Sequence, residues 1–399
     1  MVFKRSNFFI DCKKHTQEKE GLARMIKGGF IEKHASGIYI WLNLGLRMLE
    51  KVKKIIKDEL DAAGCLEILM PTVQDQALWD KTERSNSFGK EFLRFKDRNE
   101  RNFLYGPTAE EVVTDLVSKF QIKKQEFPIT LYNIQWKFRD EIRPRFGLLR
   151  AREFLMKDAY SFHQEESCLM KTYEKMFQAY SRIFEKLGIS ICTNEADTGE
   201  MGGFLSHEFQ VKCKLGENQL EYDNWPNQPI QWNERDNAKI KESEDSKEKF
   251  TEIGHLFALG DKYTSKLGAV IRENGKPLLM GCYGIGISRI IGVLFENAEE
   301  KSLGKLAPFK YNILLIDKSD ESLEALKQVN TKLEEDNEDI LIDDREFASF
   351  GQKISEAKLI GSQIIIIIGK REASKNKIGI IKNNEEQTYE INDFLNWKL

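Results

Sequence analysis

The chain has 399 residues, 41% hydrophobic and 11% aromatic, which is enough apolar material for folded cores and too much for a disordered chain. Its 61 Lys and Arg against 64 Asp and Glu leave a net charge of −3, which excludes an overall basic nucleic-acid coat but leaves room for local basic patches. Six scattered cysteines without a C-x-x-C pair, and five histidines without H-x-x-x-H spacing, signal neither a disulfide framework nor a zinc site. At roughly 150 residues per domain, the length suggests two or three domains. The start lacks the apolar core of a signal peptide, and the longest aliphatic run, Ile364 to Ile368, is too short to span a bilayer. The chain reads as a soluble protein of a reducing compartment, with no membrane partner.

In chain order, Leu49, Val52, Ile55, Ile56 and Leu60 recur at helical spacing, with Asn43 as a cap and Gly64 as a stop. Cys65 to Met70 then reads as a strand closed by Pro71. The segment Tyr105-Gly106-Pro107-Thr108-Ala109-Glu110-Glu111 precedes a helix with Val112, Val113, Leu116 and Phe120 inward. Thr108 ahead of acidic residues suits a capping motif, and Thr108 with Glu110 also suits an ammonium group. The spacing does not choose between the two.

Between Phe127 and Tyr160 the pattern predicts an antiparallel hairpin. Tyr132, Ile134, Trp136 and Phe138 share one face of its first strand, with Asn133, Gln135, Lys137 and Arg139 on the other. The second strand places Arg150, Arg152, Phe154, Met156, Asp158 and Tyr160 on one face. Burying such arginines without partners costs several kcal/mol each, so the face is either solvated and ion-paired, or holds an anionic ligand with Phe154 stacked on a flat ring. A helix from about Glu165 to Leu187 follows, ended by Gly188, and the charge-rich stretch from Asn218 to Lys249 looks like a solvated connection. Leu278 to Arg289 reads as a strand, a glycine turn and a helix start, with Arg289 in the first helical turn where phosphate is favoured. Beyond a boundary at Ala307-Pro308-Phe309, strands and helices alternate as in a small, largely parallel α/β domain.

Taken together, these segments resemble the class II aminoacyl-tRNA synthetases, and within them the bacterial prolyl-tRNA synthetases. The helix and strand ending at Pro71 are similar to the family's first motif, which builds a dimer interface. Phe138-Arg139-Asp140-Glu141 with Arg150-Ala151-Arg152-Glu153-Phe154 resembles the second, and Gly284-Ile285-Gly286-Ile287-Ser288-Arg289 the third. The prolyl subgroup is suggested by Gly106 to Glu111, by Lys157-Asp158-Ala159-Tyr160-Ser161-Phe162, and by Gly254-His255-Leu256-Phe257-Ala258-Leu259-Gly260.

The resemblance implies an α/β fold, with an antiparallel catalytic domain over residues 1–305 and a small α/β anticodon-binding domain over residues 306–399. It implies ATP-dependent ligation of proline to tRNA(Pro) through an adenylate, in a cytoplasmic homodimer using ATP and Mg²⁺, whose ligands the sequence does not identify. Arg139, Glu141 and Arg289 would be catalytic, with Arg150, Phe154 and Gly286 completing the ATP site. Thr108, Glu110, Arg139, Met156, Asp158, Tyr160, His255 and Gly284 would take proline. Arg143 and Arg145 would meet the tRNA acceptor end, and Asp343, Asp344, Arg345 and Lys353 the anticodon. Many bacterial relatives carry an editing domain between the second and third motifs; here only 42 residues separate Val211 from Gly254, so clearance of mischarged tRNA would fall to a separate protein. A class II synthetase of another specificity and a non-catalytic RNA-binding paralogue are the alternatives; the second is expected to lose Arg139, Glu141 or Arg289, all of which are present.

Overall fold

The structure, a computed structural model, describes residues 2–9, 12, 16, 18, 20–87, 89–120, 122–221, 241–242, 248–297, 303–336 and 338–397. Its contacts divide the chain into two units. One contains residues 35–38 and 52–293, the other residues 1–34, 39–51 and 294–399.

The larger unit is built on one mainly antiparallel sheet. Its strands follow the order Cys192–Glu195, Leu205–Lys212, Lys249–Gly260, Leu279–Gly286, Glu153–His163, Ile129–Phe138 and Leu66–Glu67, the last pairing in parallel at the edge. The expected hairpin is present, with Asn133 opposite Asp158 and Lys137 opposite Phe154. The helix Glu166–Lys186 buries Leu169, Tyr173, Met176, Phe177, Tyr180 and Phe184, and Gly188 turns the chain with φ +72°. The helix Glu110–Lys119 packs Val113 and Val117 with Phe162, Phe257 and Met280.

Several local expectations are corrected. Asn43 is the first residue of the helix Asn43–Ala62 rather than its cap. The strand expected over Cys65 to Met70 is confined to Leu66–Glu67. No glycine turn interrupts the third motif: the strand Leu279–Gly286 runs directly into the helix Ile287–Asn297. Within the polar connection, Asn218–Glu221 pairs with Lys249–Gly260 and with a short strand at Lys241–Glu242, while residues 222–240 and 243–247 lie outside the described residues.

The smaller unit has a six-stranded sheet in the order Val2–Lys4, Ile340–Asp343, Tyr311–Leu315, Ile364–Ile368, Lys377–Lys382 and Glu385–Glu390. The first four strands are parallel and the last two antiparallel. One face buries Ile313, Val329, Leu333 and Ile366, and the other packs Leu314, Ile365 and Ile381 on Ala357. Chain order places residues 2–4 with the N-terminal body, whereas here they extend the C-terminal sheet. That pairing is long-range and leaves no local mark on the sequence.

Candidate active site

A cleft of about 240 Å³ opens on the sheet of the larger unit. Twelve of the residues expected to bind ATP or proline line it: Thr108, Glu110, Arg139, Glu141, Arg150, Phe154, Met156, Asp158, His255, Gly284, Gly286 and Arg289. They come from the Glu110–Lys119 helix start, the hairpin and its loop, the strands Lys249–Gly260 and Leu279–Gly286, and the first turn of the helix Ile287–Asn297.

One end is anionic. The Thr108 hydroxyl does not cap the helix; it donates to Glu110 Oε1 at 2.8 Å, while Ala109 occupies the cap position without a side-chain bond. The Cys282 thiol also donates to Glu110 Oε1, at 3.2 Å, and Arg84 Nη1 donates to Oε2 at 3.1 Å. Burial raises the Glu110 pKa, but Arg84 and these donors outweigh it and hold the carboxyl below its ordinary value. Asp158 forms the floor. Its Oδ2 accepts from Lys137 Nζ at 3.1 Å and from the Tyr160 hydroxyl at 2.9 Å, so Lys137, on the polar face of the first hairpin strand, is buried and ion-paired. Tyr160 does not line the cleft; it lies fully buried beneath it and braces Thr108 and the Ala109 amide.

The other end is cationic. The Arg139 guanidinium lies 5.4 Å from the Phe154 ring centre, and its buried Nε has no hydrogen-bond partner among the described residues. Arg289 Nη1 donates to the Glu252 carbonyl at 2.8 Å. Arg150 pairs with Glu141 at 2.9 Å and with Glu217 at 3.0 Å. A Cβ on Gly284 would meet nothing nearer than the His255 carbonyl at 4.0 Å, so this strand presents bare backbone and open space to the cleft.

Arg152 departs from the expected face. The strand begins only at Glu153, so the alternation does not reach back to Arg150 and Arg152. Arg152 instead pairs with Asp140 and stacks on Phe138 at 5.6 Å, and it does not line the cleft. Arg143 and Arg145 are exposed on the connecting loop, with Arg145 paired to Glu217 at 3.1 Å.

Further residues line the wall, among them Glu252, Met201, Cys282 and Phe257, to which the sequence assigned no role. The sheet register explains Glu252. His255 pairs with Glu208 and Glu252 with Gln210, with an irregularity at Phe209/Gln210. That bulge brings residues three apart onto one face, where a regular strand would separate them. Ligand atoms of Glu208, Glu252 and His255 therefore lie within 4.8 Å of one another, a set rich enough in carboxylate for a hard divalent cation. Burial raises the Glu252 pKa, but His255, Arg289 and Arg139 hold this carboxylate well below its ordinary value. Ser206 Oγ and His255 Nε2 share a hydrogen bond at 2.7 Å, and Phe257 stacks on the imidazole at 3.9 Å, which fixes the ring.

In the smaller unit, Asp343, Arg345 and Lys353 are buried together. Arg345 forks onto Asp343 at 2.6 and 2.9 Å and reaches Glu356 at 2.8 Å, while Lys353 donates to the carbonyls of Leu315 and Asp343. Asp344 accepts from the backbone and hydroxyl of Ser6.

Residues 93–298 match the tRNA synthetase class II core domain (G, H, P, S and T), and residues 310–397 match the anticodon binding domain. The chain is 37% identical to the proline–tRNA ligase of Ehrlichia ruminantium (strain Gardel), over 96% of each chain. It is 39% identical to that of Rickettsia bellii (strain OSU 85-389), over 92% of this chain and 91% of the relative. The chain belongs to the proline–tRNA ligase family. A Cryptosporidium parvum prolyl-tRNA synthetase solved with halofuginone and AMPPNP superposes with a TM-score of 0.78 at 16% identity, covering 94% of this chain and 75% of that one, which is a likeness of fold. The protein is therefore a class II aminoacyl-tRNA synthetase. No helix among the described residues is long and apolar enough to cross a membrane.

Proposed function

We propose that the chain activates proline with ATP and transfers it to tRNA(Pro). The observation that carries this reading is a single cleft with an anionic corner at Thr108 and Glu110 and a cationic wall at Arg139 and Arg289. The secondary ammonium of proline sits against Glu110, with its ring over Met156 and Asp158 beside His255. The proline carboxylate attacks the α-phosphorus of ATP, forming the carboxyl–phosphate bond and expelling pyrophosphate. No side-chain nucleophile is needed, so the residues orient the reactants and neutralise charge. Arg139 meets the α-phosphate, its unpartnered Nε supporting that role. Phe154 stacks under adenine, Glu141 holds the adenine and ribose end, and Arg150 and Arg289 take the γ-phosphate. Gly286, where a Cβ would crowd the Arg289 side chain at 3.3 Å, lets that arginine lie close to the strand at the ATP end. A terminal ribose hydroxyl of the tRNA then attacks the prolyl carbonyl and AMP leaves.

Glu252 and Glu208 have the donor chemistry to hold Mg²⁺, which supplies further neutralisation of the phosphates when bound. The acceptor end approaches Arg143 and Arg145, and the domain formed by residues 306–399 engages the anticodon through the region of Asp343, Asp344, Arg345 and Lys353, with residues 1–305, apart from the strand Val2–Lys4 in the smaller sheet, as the catalytic body. Exposed Leu66 and Leu69 at the sheet edge support a homodimer through the first motif. A tRNA-charging role fits a cytoplasmic protein, with clearance of mischarged tRNA left to a separate protein. The test is ATP–pyrophosphate exchange followed by tRNA charging. Exchange that requires proline and ignores other amino acids supports the reading, and exchange driven by a different amino acid overturns it.

A further inference from the structure

Behind the anionic corner, Arg84 serves two carboxylates at once. Its Nη1 donates to Glu110 Oε2 at 3.1 Å and to both oxygens of Glu111, at 3.0 and 3.1 Å. All three side chains are buried, with exposures of 2%, 0% and 0%. The guanidinium is held in place by aromatic faces, lying 4.9 Å from the Trp79 ring centre and 5.2 Å from that of Tyr263. Thr82 donates to Glu111 Oε1 at 2.9 Å, and Trp79 is tied through Gln74 to the Thr108 carbonyl. Glu111 does not line the cleft, whereas Glu110 does.

Among the described residues, the ion pairs of this buried cluster set one guanidinium against two carboxylates, one positive charge short. Two further cations feel Glu110: Lys262, which is half-exposed and donates to the Glu200 carbonyl at 2.6 Å, and Arg139, which belongs to the cationic end of the cleft. Burying an uncompensated charge is costly, so the deficit is either met by a proton or by a cation entering the cleft. Burial and the charge of Glu110 push the Glu111 carboxyl upward, in keeping with the first outcome in the empty cleft. A ring bearing an ammonium supplies the second.

We propose that Glu111 is a positioning residue for substrate charge: by occupying Arg84 from behind, it keeps Glu110 from being neutralised and reserves that carboxylate for the substrate's secondary ammonium. The proposal rests on the reading that Glu110 receives that ammonium. It follows that the cleft distinguishes proline from a ring of the same shape without the charge through a residue that touches neither.

The test uses Glu111→Gln in the full chain, since the amide keeps the size of the side chain and its bond to Thr82. Proline-dependent exchange should show KM for proline raised about tenfold or more, with KM for ATP within about twofold of the parent. Tetrahydrofuran-2-carboxylate, which has an ether oxygen in place of the ammonium, is the uncharged probe; its inhibition constant should stay within about twofold in the variant. Glu111→Asp, which retains the charge, should recover most of the affinity for proline. A parent-like KM for proline in Glu111→Gln overturns the proposal, as does equal weakening of proline and the ether, which marks structural damage. A parent protein whose exchange does not depend on proline overturns the functional reading itself, and the proposal with it.

Discussion

Arg289 presses electrostatically on Arg139: after burial, its positive charge is the largest influence lowering the Arg139 pKa. Two guanidinium groups on one wall of the cleft make it a place where a polyanion such as a triphosphate relieves their mutual repulsion. The Glu252 carboxylate, which both arginines stabilise, acts against that repulsion.

Arg139→Ala is therefore expected to abolish adenylate formation while leaving the fold intact. Loss of one preorganised donor to developing charge costs about 3–4 kcal/mol in comparable sites, or about 10²–10³ in rate. The measurement is proline-dependent exchange beside a thermal melt. Exchange within about tenfold of the parent at an unchanged melting temperature would count against Arg139 as the α-phosphate ligand.

The second prediction concerns a buried lysine that the chemistry above leaves unused. Lys157 is fully buried, donates to the Tyr180 hydroxyl and to the Tyr283 carbonyl at 3.0 Å, and burial lowers its pKa to about 7. The unfolded chain keeps a proton on this amine up to its ordinary pKa of 10.5, whereas the fold sheds it from about pH 7 upward. Unfolding therefore takes up a proton in that window, and stability from this group rises with pH. Lys157→Met should be more stable than the parent at pH 7, and its advantage should shrink by about 2 kcal/mol by pH 9. Urea unfolding at the two pH values decides it, and a constant difference would show that Lys157 stays charged.

Much of the site was legible because its chemistry is local. Arg139 and Glu141 stand two apart, Phe154, Met156 and Asp158 alternate on a strand, and Gly284, Gly286 and Arg289 share one short run. Alternation held wherever the strand is regular and failed at Arg152, one residue before the strand begins. Glu252 was hidden for the opposite reason, since only a bulge puts it beside His255. Arg84 and Met201 reach their partners from segments 26 and 91 residues away from Glu110, and nothing in their own surroundings announces it. The pairing of Val2–Lys4 with Ile340–Asp343 was likewise invisible, because a three-residue strand has too little pattern to read.

A third prediction separates two roles for Arg345. A base-reading arginine can be removed at little cost to stability, with loss of tRNA charging. The fork of Arg345 onto Asp343 and Glu356, at 7% exposure, argues for a strut. Arg345→Ala strips the buried Asp343 of its guanidinium and leaves Glu356 to Arg5, which should cost about 3–5 kcal/mol. Chemical unfolding should register that loss while proline-dependent exchange persists. Unchanged stability together with defective charging would instead favour direct contact with the anticodon.

The last prediction concerns errors. The strand Leu205–Lys212 ends and the strand Lys249–Gly260 begins with residues 213–248 between them. An independent domain needs at least about 50 residues, so this connection is too short for a second hydrolytic site. The cleft nonetheless faces a sieving problem, because alanine is smaller than proline and no wall can exclude it by size. Each missing methylene is worth about 1–3 kcal/mol in such a pocket, which falls short of faithful translation without correction. The chain should therefore form some alanyl-tRNA(Pro) and leave it intact. Presenting the purified protein with preformed alanyl-tRNA(Pro) and following deacylation tests this. Release at the spontaneous rate is the expected result. Hydrolysis well above that rate, persisting after deletion of residues 225–249, would place an editing activity in the catalytic body itself.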